Sequence, residues 1–306
     1  MRADRFLLKH VSAPSPLLYK LMRKKTVAEV HPDGTIQRLS GSDRVFPGMR
    51  IRIPVDSNMR VKDPHCVASR PQKLPVLFEN KAMAVFLKPS GIACQGGSKI
   101  GKGDSIDAML GAVDSSEESG YKLVHRLDLP TSGALAVARG RLAAVQLTKA
   151  FRDRTVRKMY VAVLQGIPAM PKGIIDHPLV ERNVDVVPAS DENRDRAKEA
   201  ITKFRVLKTG KHDGTTVSIV EFDILTGRKH QIRVHCSGVL GCPVLGDSKY
   251  TPKGMVKSAQ MHLHLFKLAI PNLGSSKLEM VTVQAPFPEF WSPVFHSLGV
   301  SFAQKR

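Results

Sequence analysis

The sequence predicts an α+β fold with a mixed, largely antiparallel sheet. Short apolar runs of strand length follow one another from Val76 onward, long helical patterns are few, and helices do not alternate regularly with strands. The predicted strands are residues 82–87, 134–138, 160–164, 201–207, 217–225 and 261–270. The clearest predicted helices of this part are residues 142–151 and 231–239.

A smaller N-terminal unit precedes this part of the chain. Residues 17–24 read as a basic helix with an apolar face, residues 26–30 as a strand, and residues 49–54 as an alternating basic and apolar strand. Prolines among polar residues predict a linker over residues 57–75. We therefore expect one domain at residues 1–56 and a larger one at residues 76–306.

The charge of the chain limits its partners. A formal net charge of +20 on 306 residues favours a polyanion, because Lys and Arg release counterions from phosphates. Nucleic acid is favoured over an anionic membrane surface, since no basic helix with an aromatic face is evident. The sequence has no run of 18 or more apolar residues, so no membrane span is predicted. The four cysteines form no CxxC pair, which predicts reduced thiols.

Residues 1–25 carry seven Lys and Arg side chains against a single acid, Asp4. A basic, acid-poor stretch with serines is typical of a mitochondrial targeting segment. It is equally typical of a folded RNA-binding helix, which leaves a cytoplasmic location as the alternative. Arg23, Lys24 and Lys25 at the end of the predicted helix are candidate RNA contacts.

The stretch HRLDLPTSG at residues 125–133 concentrates ionisable side chains just before a predicted strand. Asp128 lies between Arg126 and a Ser-Gly turn, a suitable place for a nucleophile or base. Taken alone, the pattern is more often an ordinary ion pair, because structural ion pairs also perturb carboxylates.

Four further segments carry polar side chains at fixed spacing. They read FLKPSG at residues 86–91, KMYVAVLQG at residues 158–166, TGRKHQIRVH at residues 226–235 and GCPVLGDSKY at residues 241–250. In the second segment, strand geometry puts Lys158, Tyr160 and Ala162 on one face. If the third is helical throughout, Lys229 and Arg233 share a face next to that of Arg228.

These five segments resemble, in order, the motifs of the RluA-type pseudouridine synthases, whose HRLDxxTSG signature agrees with residues 125–133. The resemblance implies the pseudouridine synthase fold and the isomerisation of a uridine in RNA. It implies Asp128 as the essential catalytic residue, Tyr160 as the favoured proton acceptor and Arg233 as the cation paired with Asp128. The N-terminal part resembles the small alpha-L RNA-binding module of such enzymes.

The same resemblance implies RNA as the partner, with large-subunit ribosomal RNA favoured and transfer RNA second. Proteins of a pre-ribosomal particle are further candidate partners, and no membrane is expected. The candidate RNA contacts of the larger domain are Lys88, Arg126, Arg228, Lys229 and His230. Arg126 is also the candidate for filling the space that an extruded uridine leaves.

No cofactor and no metal are expected, because the isomerisation involves no redox step and no phosphoryl transfer. His230, His235, His262 and His264 are interpreted as hydrogen-bonding groups of the core rather than as metal ligands. The alternative function is an RNA-binding ribosome-assembly factor that keeps the fold and does not need catalysis. The three intact catalytic candidates argue against that alternative.

Overall fold

The computed structural model describes residues 2–12, 15–31, 35–45, 49–53, 60–61, 74–96, 105–113, 120–183, 185–255, 258, 260–273 and 279–301. The chain divides into two compact units, residues 1–72 and residues 73–306. Most of the predicted linker at residues 57–75 lies outside the described residues. The predicted domain limits, 1–56 and 76–306, therefore stay predictions.

The first unit has its own small apolar core. Its elements are α1 (Ala3–His10), β1 (Val11–Ser12), α2 (Ser15–Arg23), β2 (Ala28–Val30), β3 (Ile36–Arg38), β4 (Arg50–Arg52) and β5 (Arg60–Val61). β2 pairs antiparallel with β3 and with β4, and β1 pairs with β5. Leu7 of α1 and Leu18 and Met22 of α2 are buried together. Part of the basic stretch at the N-terminus therefore belongs to folded helices.

The second unit contains the long strands. Its elements are β6 (Val76–Glu79), β7 (Met83–Lys88), α3 (Ile106–Val113), β8 (Tyr121–Leu123), β9 (Ser132–Arg139), α4 (Arg141–Arg152), β10 (Arg157–Gln165), β11 (Lys172–Asp176), β12 (Leu179–Arg182), β13 (Asp185–Pro188), β14 (Ile201–His212), β15 (Thr215–Ile224), α5 (Gln231–Val234), β16 (Leu263–Pro271), β17 (Met280–Gln284) and α6 (Ser292–Ser297). A π-helical turn, His235–Val239, continues α5.

Ten of these strands form one sheet in the order β11-β14-β15-β10-β16-β9-β7-β6, with β17 paired to β16 and β8 to β9. Among the described strands of this sheet, only the β9–β16 pair is parallel, and it spans two residue pairs. The predicted α+β class with a mixed, largely antiparallel sheet is therefore confirmed. β12 and β13 form a separate hairpin.

Apolar side chains cover both faces of the sheet. Tyr160, Ala162 and Leu164 of β10 belong to the larger core on one face. Val161 and Val163 point to the other face, in a cluster that includes the buried Trp291. This period-two alternation is the one expected of a strand. It brings Tyr160 to the face that carries the site described below.

The predicted helix at residues 231–239 is present as α5 and the π-helical turn that follows it. The condition that the whole segment 226–235 is helical is not met, because Arg228 and Lys229 lie in the turn before α5. The short elements β1, β3, β5, β6, β8, β11, β12, β13, β17, α1, α3 and α6 were not predicted. No helix in the described part of the chain is long and apolar enough to span a bilayer.

Candidate active site

The loop that carries Asp128 is fixed by the segment after β7. Lys88 is fully buried, and its Nζ donates hydrogen bonds to the carbonyl oxygens of Pro89 at 3.0 Å, Leu129 at 3.2 Å and Thr131 at 2.6 Å. The Ser90 hydroxyl donates to the Pro130 carbonyl at 2.8 Å. Burial lowers the pKa of Lys88 to about 8. Lys88 is thus a structural tie inside the core, and its predicted role as an RNA contact is wrong.

The Ser-Gly end of the same stretch lets β9 approach β16. Gly133 has a φ of +124° and pairs with Leu265. A Cβ atom at Gly133 would overlap the backbone of Leu265. Glycine is therefore required where the loop that carries Asp128 leads into β9, both for its φ and for the close approach.

Arg233 is held by two carboxylates at once. Its Nε and Nη2 each donate to Asp247 at 2.7 Å, and its Nη1 donates to Asp128 Oδ2 at 3.3 Å. The side chain of Arg233 is 5% exposed, whereas that of Asp128 is 25% exposed. Burial opposes both charges of the inner pair, but their hydrogen bonds raise the pKa of Arg233 and lower that of Asp247. The bidentate pair with Asp247 aims the remaining nitrogen at Asp128.

Asp247 is the site residue that sequence reasoning missed. It lies in the GDxxY segment, which was quoted for its pattern without a role for the acid. Its carboxylate also accepts hydrogen bonds from the backbone N–H groups of Lys249 and Tyr250 at 3.0 and 3.2 Å. An arginine that must be buried needs such a partner. This need was the signal that could have identified Asp247.

Tyr160 lies on the wall of the same cavity, on β10. Burial, together with the negative charge of Asp128, raises the pKa of the Tyr160 phenol. The phenol is therefore neutral before substrate enters.

His230 also approaches Asp128. It has a left-handed backbone (φ +54°) just before α5, and its Nε2 lies 3.9 Å from Asp128 Oδ1. Its Nδ1 lies 2.6 Å from the hydroxyl of Tyr250. Burial lowers the pKa of His230 to about 4. His230 was predicted as an RNA contact, and the structure sets it beside the candidate catalytic carboxylate.

A cavity of about 750 Å³ opens over these residues. Among the lining residues that the structure describes, Asp128 is the one acid, and the cations are Arg126, Arg152, Arg154, Lys158, Arg228, Lys229 and Arg233. A concave surface with one sign of charge concentrates a ligand of the opposite sign. The cavity therefore suits a polyanion.

The predicted RNA contacts fall into separate places. Arg126, Arg228 and Lys229 line the cavity, and Arg228 donates from Nε to the Glu199 carbonyl at 2.8 Å. The other three, Arg23, Lys24 and Lys25, are exposed on the first unit.

The remaining candidate histidines lie in the core. His235, His262 and His264 each lie within hydrogen-bonding distance of a backbone carbonyl, at 3.0, 3.1 and 3.3 Å. In the part of the chain that the structure describes, no three His, Cys, Asp or Glu side chains are grouped as metal ligands.

Comparison with known proteins gives one consistent result. The family described as RNA pseudouridylate synthase matches residues 82–238. Ribosomal large subunit pseudouridine synthase C of Rickettsia bellii (strain RML369-C) is 31% identical over 261 residues, which are 84% of each chain. Pseudouridylate synthase RPUSD4, mitochondrial, of Xenopus tropicalis is 30% identical over 285 residues, 79% of this chain and 85% of the relative.

Among solved structures, Human RNA Pseudouridylate Synthase Domain Containing 4 aligns with a TM-score of 0.60 at 26% identity. The alignment covers 75% of this chain and 94% of the human one. The fold and the matches together define the class as an isomerase that acts on RNA. The chain belongs to the RNA pseudouridylate synthase family, whose reaction converts uridine to pseudouridine. The predicted membership of the pseudouridine synthases is thereby confirmed, and the resemblance of the N-terminal part to an alpha-L module stays a prediction.

Proposed function

We propose that the protein isomerises one specific uridine of large-subunit ribosomal RNA and that Asp128 is the catalytic residue. The observation that carries the assignment is the hydrogen bond from the buried Arg233 to Asp128 Oδ2 at 3.3 Å. Arg233 is itself held by Asp247, so the carboxylate meets the substrate in a fixed orientation. A reacting group that is already oriented does not have to be ordered during the reaction.

The bonds that change in the reaction determine what the site must supply. The bond from nitrogen 1 of uracil to ribose carbon 1′ breaks, the base rotates, and carbon 5 bonds to carbon 1′. The carbon-5 proton then leaves, and nitrogen 1 ends with a proton. Asp128 is the carboxylate that can act on the base or the sugar, and the cations of the cavity hold the flanking phosphates.

Tyr160 is our candidate for taking the carbon-5 proton. Because burial raises the pKa of its phenol, Tyr160 starts the reaction with its own hydroxyl proton. It can therefore accept the carbon-5 proton only while it passes its own proton to a second base. Asp128 lines the same cavity and is our candidate for that base. The isomerisation has no net change in protons, so the proton passed to Asp128 balances the one that nitrogen 1 gains.

The proposed substrate follows from the relatives. The Rickettsia relative is named for the ribosomal large subunit, and relatives from Xenopus tropicalis and Arabidopsis thaliana are named as mitochondrial. We therefore propose ribosomal RNA ahead of transfer RNA, and mitochondria as the location. The first unit would add RNA affinity through Arg23, Lys24 and Lys25, which are exposed.

The alternative function, a ribosome-assembly factor without catalysis, is not favoured. A protein that only binds RNA gains nothing from a buried arginine aimed at a half-buried carboxylate, since burying charge is costly.

The test is pseudouridine mapping of ribosomal and transfer RNA after incubation with wild type or Asp128→Asn. We expect wild type to modify a defined uridine and the variant to lose at least about 10³-fold in rate, because Asp128 acts on the reacting bonds. Asp213→Asn is the matched control, since Asp213 is exposed in a left-handed turn that asparagine tolerates. Equal modification by Asp128→Asn and wild type would contradict the assignment.

A further inference from the structure

His230 is a polar site residue that the proposed chemistry leaves unused. Its side chain is 13% exposed, and its Nε2 faces Asp128 Oδ1 across 3.9 Å. Arg233 binds the other oxygen, Oδ2, of the same carboxylate. The two oxygens of Asp128 thus face two different nitrogen groups.

The contact with Tyr250 bears on which nitrogen of His230 carries its proton. The backbone N–H of Val186 donates to the Tyr250 hydroxyl oxygen at 3.3 Å, so the hydroxyl hydrogen can point elsewhere. His230 Nδ1 lies 2.6 Å from that oxygen. Burial raises the pKa of Tyr250, so this phenol keeps its hydrogen. We assign the hydroxyl as the donor to Nδ1, which puts the imidazole proton on Nε2.

The ring stays neutral at the pH of the cell. Burial lowers the pKa of His230 to about 4. Asp128 has the next largest influence and raises this pKa, whereas the nearby cations Arg233, Lys249 and Lys229 each lower it. A neutral Nε2–H group can donate a hydrogen bond without adding a further positive charge. The sequence predicted His230 as an RNA contact; for a contact to phosphate, a cation would be better suited than this neutral ring.

We propose that His230 is a positioning residue for Asp128, donating from Nε2 to Oδ1 while Arg233 holds Oδ2, with its tautomer fixed by Tyr250. The inference rests on the proposed role of Asp128. The separation of 3.9 Å is longer than a hydrogen bond. Catalytic hydrogen bonds often tighten only when the substrate binds.

Residue 230 offers well-matched substitutions. Asparagine tolerates a left-handed backbone, so His230→Asn suits the φ of +54°. Its amide reaches about as far as Nδ1 and can keep the bond to Tyr250, but it falls short of Asp128. His230→Gln extends an amide donor to about the position of Nε2. Tyr250→Phe removes the hydroxyl that fixes the tautomer and leaves the ring.

The experiment measures RNA affinity and, separately, the single-turnover rate at saturating RNA. We expect His230→Asn to lower the rate on the order of 10- to 100-fold with unchanged affinity, because the carboxylate is less well oriented. We expect His230→Gln to restore most of the rate, and Tyr250→Phe to lower it by a smaller factor. His296→Asn, on the exposed face of α6, is the matched control.

Three outcomes would overturn the proposal. They are a weaker RNA affinity of His230→Asn at an unchanged saturated rate, a His230→Gln variant as slow as His230→Asn, and a Tyr250→Phe variant as fast as wild type. The proposed function is tested separately by Asp128→Asn. If that variant is inactive while the His230 variants are fully active, only the positioning role of His230 is wrong.

Discussion

Gly133 is the residue where the sheet leaves no room for a side chain. We predict that Gly133→Ala destabilises the protein by about 1–3 kcal/mol or more, because the methyl group would overlap the Leu265 backbone and the φ of +124° disfavours any side chain. Urea unfolding measures the change. Gly214→Ala is the control, since Gly214 also has a positive φ (+75°) but has no atom near its missing Cβ. Equal losses for the two variants would contradict the overlap.

At the scale of residues, the sequence predicted which side chains line the candidate site, but not the residues that hold these side chains in place. Asp128, Tyr160 and Arg233 line one cavity, although residues 128 and 233 are 105 positions apart. Lys88 was misassigned because a lysine in a turn motif normally lies at the surface, and only the fold shows three carbonyl oxygens around its Nζ. Asp247 was missed because only one carboxylate partner, Asp128, was assigned to Arg233 from the sequence.

Among the elements, the C-terminus of α4 is built around a cation in a conformation that favours glycine. Arg154 has a φ of +58°, and its N–H bonds to the Phe151 carbonyl while that of Thr155 bonds to the Ala150 carbonyl. This is the Schellman arrangement, in which the left-handed residue is usually glycine. Here the residue is an arginine that lines the cavity and pairs with Glu199 at 2.6 Å.

We predict opposite effects of Arg154→Gly on stability and on RNA binding. Stability should rise by roughly 0.5–1 kcal/mol, because glycine adopts the left-handed conformation without strain. RNA affinity should fall, and the dependence of log affinity on log salt should become shallower by about one phosphate contact. Thermal unfolding and a salt titration of RNA binding measure the two effects. Arg154→Lys should match wild type in both, and unchanged affinity of Arg154→Gly would exclude Arg154 as an RNA contact.

Elements were predictable from sequence where one residue pattern continued long enough. β9 is buried along its length except at Arg139, so its apolar run stands out, and α4 shows a helical period over three turns. β11 and β17 are short and half exposed, so their residues resemble loops. The segment at residues 226–235 is compatible with a helix by its sequence because Lys229 and Arg233 have i, i+4 spacing, but α5 begins only after the left-handed His230.

For the molecule as a whole, burial of neutral histidines sets the response to acid. Burial lowers the pKa of His125 to about 3 and those of His230, His262 and His264 to about 4. The unfolded chain binds protons at these positions near pH 6.5, and the folded protein does so only at much lower pH. The contribution of these histidines to the free energy of unfolding is therefore complete above pH 6.5 and is lost as the pH falls towards 4.

We predict that the free energy of unfolding falls steadily between pH 6.5 and 5, a range in which few carboxylates bind protons. Each histidine contributes up to roughly 1.4 kcal/mol per pH unit in this range. Urea unfolding at several pH values measures the slope. His264→Gln should reduce the slope and the exposed His296→Asn should not. A flat profile in wild type would contradict neutral burial.

The fold class was predictable from the succession of strand-length apolar runs with few helices between them, but the strand order was not. β9 and β16 are neighbours although they are 132 positions apart at the Ser132–His264 pair. Pairing over such a distance leaves no local signature in the sequence, because each strand alone shows only which faces are buried.

Because of the same long separations, the residues of the candidate active site come together only late in translation. Asp128 is synthesised 105 residues before Arg233, and Asp247 follows 14 residues after Arg233. At about 5–20 residues per second, the ribosome makes the carboxylate roughly 5–20 s before the guanidinium that holds it. For that interval the nascent chain carries the candidate catalytic carboxylate without the guanidinium that bonds to it. The enzyme becomes competent only after the second half of the sheet has been translated and folded onto the first.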